Sequence, residues 1–218
     1  GSLAAQGRHE DPLALLAMAG VGVLPVGTLS PATFELNAKG SGINGFDVNS
    51  KIKSDELSGS LAGLFSSGAS GFSGRGQVAL QSKDIEPYLM ASGVSFPDMG
   101  QGLAVDLSSD FEMKNAVTSL PSLNGTVADT GINADIAVDT DGDLPVVKGT
   151  ATVDQLDLAW LGEWVLGQGA LSSDGRNWPT AEFAKTGLAN VRGELALNAR
   201  LARMRSVGEL SDLRAILV

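Results

Sequence analysis

Polar and apolar positions alternate with period two along most of the chain. Val78 and Leu80 mark one side of a strand, and Ala151 and Val153 mark another. Leu103, Val105 and Leu107 alternate, followed by Phe111 and Met113. Ile132, Ala134, Ile136 and Val138 alternate with Asn133, Asp135 and Ala137. Phe34, Leu36 and Ala38 repeat the pattern, as do Phe46, Val48 and Ile52, and later Leu195 and Leu197. Alternation over so many segments predicts a half-buried antiparallel sheet with one apolar and one polar face. Turn signals punctuate it at Asn44-Gly45, Asn124-Gly125, Asp141-Gly142 and Asp174-Gly175. The Gly/Ser-rich stretch from Leu57 to Gly74 carries little pattern and reads as a poorly ordered edge or a flexible loop.

Three segments break the alternation and resemble one another: DPLALLAMAG from Asp11, DIEPYLMASG from Asp84 and DLAWLGEWVLG from Asp157. Each leading aspartate lies 73 residues after the last. Asp is a good helix N-cap, and Pro12 and Pro87 sit where the first helical turn tolerates proline. Gly20, Gly93 and Gly167 stand where a helix C-terminus favours a left-handed residue. Each segment therefore predicts a helix of about two turns. The strands before two of them also match, GQVALQSKD against GTATVDQLD. The predicted fold is mainly β: a curved antiparallel sheet built of repeats of about four strands separated by short helices, groove-like or sandwich-like. The expected division is a terminal segment 1–10, unit one at 11–83, unit two at 84–156 and a truncated unit three at 157–218. Gly1-Ser2 reads as the scar of a removed expression tag, and the strand-like Ser211 to Val218 suggests an array that continues further.

Composition narrows the chemistry. The 218 residues include no Cys and one His (His9), which excludes thiol chemistry and leaves one candidate base for a Ser-His-Asp triad. A net charge of −10 argues against nucleic acid, which needs a Lys/Arg surplus. The uncharged stretch Pro12 to Phe34 is long enough to span a bilayer, but its glycines and prolines argue against a membrane helix. Asp139, Asp141 and Asp143 crowd around Gly142, yet Thr150 stands where a calcium loop needs its closing Glu, so a hairpin turn is the simpler reading. Gly71-Phe-Ser-Gly-Arg-Gly76 lacks the ending of a phosphate loop and runs into a strand. Arg200, Arg203 and Arg205 read as a solvated strand edge, and Trp160, Trp164 and Trp178 as packing residues.

The run GRGQVALQSKDIEPYLMASGV (74–94), the strand pair after it and LPVVKGTATVDQLDLAWL (144–161) resemble the C-terminal region of the AsmA family. So does Asn177-Trp-Pro, with Phe183, Gly187-Leu188 and RGELALNA from Arg192. The N-terminal membrane anchor of that family has no counterpart here. The resemblance implies a periplasmic segment of a Gram-negative envelope protein held to the inner membrane by that anchor, continuous with more of the same chain. It implies no enzyme, metal or cofactor, and an apolar sheet face contacting phospholipid or another acyl-chain lipid. By alternation, the lining residues would be Val78, Leu80, Val105, Leu107, Ile132, Ile136, Val138, Leu195 and Leu197. The competing reading is a structural β-repeat scaffold or surface segment with no ligand. An enzyme would need a pocket joining Asp, Glu and His9.

Overall fold

The computed structural model describes residues 1–18, 29–42, 44–68, 71–167, 191–204 and 208–218. Among the described residues, eleven strands form one sheet in which every strand lies beside its neighbours in sequence. Strand β1 (Ser2–His9) is followed by helix α1 (Pro12–Met18). Then come β2 (Ala32–Ser41), β3 (Gly45–Lys53), β4 (Leu57–Gly68) and β5 (Gly71–Ser82). Helix α2 (Glu86–Ala91) precedes β6 (Val105–Lys114), β7 (Val117–Val127), β8 (Thr130–Asp139) and β9 (Val146–Asp157). Helix α3 (Leu158–Leu166) leads to β10 (Arg192–Met204) and β11 (Gly208–Leu217). Four strands thus separate α1 from α2, and four separate α2 from α3.

Register explains the two faces. One row across all eleven strands reads Gly7, Phe34, Ile52, Gly59, Leu80, Leu107, Gly125, Ile132, Val153, Ala199 and Leu213. The adjacent row, one residue along, reads Gln6, Glu35, Lys51, Ser60, Ala79, Ser108, Asn124, Asn133, Thr152, Asn198 and Arg214. Successive strand residues point to opposite sides, so the first row lies on an apolar face and the second on a polar one. A bulge in β7 at Pro121 and Ser122 inserts one extra residue between Leu120 and Leu123. Proline cannot donate to the ladder, and the bulge absorbs it while keeping both leucines on the apolar face.

The helices start as their aspartates dictate. The Asp11 carboxylate accepts from the Leu13 N–H at 2.9 Å, and that of Asp157 from Ala159 and Trp160 at 2.7 and 3.1 Å. Asp84 lies one residue before the α2 cap, Ile85, and accepts from Glu86 at 3.0 Å and from Leu103 at 3.1 Å. Helix α2 closes with Gly93 at φ 77°, the Val94 N–H reaching the Leu89 carbonyl and the Gly93 N–H that of Met90. Gly167 has φ 101° and ψ 154°, outside the left-handed helical region expected of it, and Gly20 lies outside the described residues.

Four expectations need correction. The stretch from Leu57 to Gly74 is not a loose edge: it makes β4 and the start of β5, paired on both sides. Glycines replace large apolar residues there, and phenylalanine rings supply the missing bulk. Phe65 lies across from Gly74, and Phe111 across from Gly76. Asn124-Gly125 is not a turn but lies inside β7; the turn falls at Ala128-Asp129, both at positive φ. Ser2–His9, within the expected terminal segment 1–10, forms a strand paired along its length with β2. The sheet is not wholly antiparallel, because β10 runs parallel to β9. Strand β10 therefore begins at the end of the sheet where β9 began, Arg192 lying opposite Val146, as a parallel pair requires. No sandwich forms either: all the described strands belong to one sheet.

Candidate functional site

The sheet registers put all nine alternation-selected residues on the apolar face. Leu80 pairs with Leu107, and Ile132 lies in the same row. Val78 lies one row along, with Leu197 in the continuation of that row beyond the bulge. Ile136 and Leu195 share a third row through Gly149, and Val138 lies in a fourth. Sequence reasoning did not select Leu61, Phe65 or Leu123, which sit on the same face between these residues. Their signal was diluted by the neighbouring glycines and by the bulge. Three complete rows of this face carry no charged side chain, and Ser50 and Ser109 are their only polar ones.

The helices cover this face unevenly. Leu13 of α1 and Tyr88 and Ala91 of α2 pack with Leu57 and Val105, with Leu80, Leu107 and Val127 at the margin. Leu161 of α3 packs against a second cluster of Ala134, Ala151 and Leu197, joined by Ile136 and Leu195. Val105 and Leu197 are each 7% exposed, while the other seven selected residues stay half-buried. Val78, Ile132 and Val138 belong to neither cluster. Toward the β4–β5 turn the face ends in stacked rings, Phe65 on Phe111 at 5.6 Å and on Phe72 at 6.0 Å. Phe46 and Phe72 are 40% and 45% exposed there. The accessible surface is 13733 Å², against roughly 9,400 Å² for a compact monomer of this size.

The polar candidates are dispersed. His9 Nδ1 accepts from the Asp11 N–H at 2.9 Å, on the strand-to-helix turn. The Asp139 carboxylate accepts from the Asp141 N–H at 3.0 Å and closes the β8–β9 turn. Among the described residues, no three His, Asp or Glu side chains gather closely enough to hold a metal. Arg200 pairs with Asp154 at 3.1 Å and Arg203 with Glu209 at 2.9 Å, all on exposed side chains. Arg205 and Trp178 lie outside the described residues. Glu86 is buried, and its carboxylate accepts from the Gly100 N–H at 2.6 Å, which makes it a structural anchor. Burial pushes the Tyr88 hydroxyl above its ordinary pKa; a hydrogen bond with Ser54 opposes the shift, and the nearby Glu56 charge adds to it. A depression of about 440 Å³ at the helix end of β3–β7 is rimmed by charges of both signs, including Lys53, Glu56, Lys83 and Asp106. No described helix is long and apolar enough to cross a membrane.

Among the described residues, fold and surface together define a class: a single-layer meandering sheet with one apolar face, uncharged along three complete rows, that three short helices cover in part. Comparison with protein-family models, curated proteins and solved structures found no match.

Proposed function

We propose that the apolar face holds the acyl chains of phospholipid, as the AsmA-like resemblance implies. The chain would then be one stretch of a groove built from four-strand units, carrying lipid between the inner and outer membranes in support of outer-membrane assembly. The observation that supports this reading is the extent of the face: an uncharged row crossing eleven strands. Ten strand spacings make such a row about 48 Å long, more than the ~30 Å hydrocarbon core of a bilayer. Shielding an acyl chain from water is favourable by about 0.8 kcal/mol per CH₂. A bilayer offers the same gain, so exchange between bilayer and face is nearly neutral, as reversible transport requires. The scheme needs no reacting group.

Photocrosslinking tests the reading. A photoreactive residue at Val78 or Ile136 is expected to label phospholipid in cells, while one at Ala79 or Ala137 on the polar face is not. Equal labelling from both faces, or none from either, would support the ligand-free scaffold instead.

A further inference from the structure

Helices α2 and α3 are rooted on opposite sides of β7 and β8, and a contact joins them. Helix α2 and the segment after it start at β5 and return to β6, whereas α3 starts at the end of β9. Between these roots the chain has only the short Ala128-Asp129 turn. Yet the Trp160 Nε1–H of α3 donates to the Pro97 carbonyl at 3.2 Å. The Phe96 ring lies 6.3 Å from that of Trp160, which packs on Trp164 at 5.4 Å. Pro97 itself is buried.

We propose that residues 92–104 form a strap, latched to α3 at Trp160, that covers the β7–β8 part of the apolar face and opens to admit an acyl chain there. The acyl-chain clause rests on the function proposed above; the strap rests on geometry. Both packed clusters stop short of the strip between them. Val127 belongs to one, Leu123 to the other, and Ile132 to neither. A bridge from β6 to β9 spans three strand spacings, about 14 Å, the width occupied by β7 and β8. The base of the strap is tied down. Ile85 donates to the Leu103 carbonyl at 2.8 Å, Leu103 to Asp84 and Gly100 to Glu86. Its tip meets α3 through Phe96 and Pro97. Gly93, Asp98, Gly100 and Gly102 all have positive φ, so the segment turns sharply on both sides of that tip. A tied base and a side-chain latch at the tip are the parts of a hinged cover.

Two variants test the latch from its two sides, Trp160→Phe and Phe96→Ala. Hydrogen exchange follows the strap, and the fluorescence of the apolar dye 8-anilinonaphthalene-1-sulfonate follows the uncovered strip. Losing one hydrogen bond or ring contact is expected to speed exchange at residues 96–103 about three- to tenfold. Dye fluorescence should rise, and exchange in β2–β5 should stay at the wild-type rate. Unchanged exchange in both variants overturns the proposal, as does faster exchange without added dye binding. A separate arm mixes each protein with vesicles of phosphatidylethanolamine and phosphatidylglycerol and measures lipid uptake. Faster uptake by the variants supports the gate. If no protein takes up lipid while the dye signal rises, the acyl-chain reading falls and the cover stands.

Discussion

Replacing Gly125 with alanine probes the closest approach between strands in the middle of the sheet. Gly125 sits in β7, paired with Leu107 on one side and Ile132 on the other, at φ 142°. A methyl group there would fall onto the Asp106 carbonyl oxygen, 2.9 Å from the carbonyl carbon and 3.0 Å from the Leu107 Cα. These are backbone atoms, so relief requires β6 and β7 to separate. A strained backbone conformation costs about 1–3 kcal/mol. Forcing a methyl group into a filled space costs about 1–3 kcal/mol more. The sum is a loss of about 2–6 kcal/mol, which lowers the urea midpoint by about 1–3 M at a slope of about 2–3 kcal/mol/M. Gly68→Ala is the control: nothing lies within 4 Å of its added carbon, and its effect should stay within about 0.5 kcal/mol. Hydrogen exchange should show the Gly125→Ala damage concentrated in β6 and β7. A variant as stable as the control would refute the close pairing of these strands, and with it the continuous register across the bulge.

Other outcomes follow from the helix starts and the buried phenol. Asp157→Ala removes the carboxylate that receives two N–H groups of α3 and should cost about 1–2 kcal/mol in urea unfolding; a loss of only a few tenths would contradict the cap. Tyr88 is the sole tyrosine, so an ultraviolet titration reads it alone. Its midpoint should lie above the ordinary 10.0. The neutral buried phenol contributes stability fully below pH 10, and that contribution is lost as pH rises through the folded-state midpoint. A midpoint at or below 10.0 would contradict the packing of α2.

What the sequence disclosed follows from side-chain size. Where the apolar face is filled by Val, Ile and Leu, as from Val105 to Leu107 or Ile132 to Val138, alternation locates both the strand and its face. Where glycine takes those positions, as at Gly59, Gly63, Gly74 and Gly76, the contrast vanishes, and β4 reads as a loop. The bulk sits instead on Phe65 and Phe111 in partner strands. Strand β1 is hidden the same way, its apolar side being Leu3, Ala5 and Gly7. The aspartates revealed the helix starts because capping is local: each carboxylate accepts from an N–H two or three residues on. The parallel pairing of β9 and β10 depends on where a long connection returns, which local pattern does not encode. The latch between Trp160 and Pro97 joins residues 63 positions apart and has no local signature.

The central claim is that the apolar face holds acyl chains. Native mass spectrometry of the chain purified from a Gram-negative host, with lipid extraction of the same sample, tests it most directly. The account predicts phospholipid adducts, lost when Val78 and Ile136 are replaced together by aspartate and retained when Ala79 and Ala137 are. A bare polypeptide mass with no extractable phospholipid would contradict it.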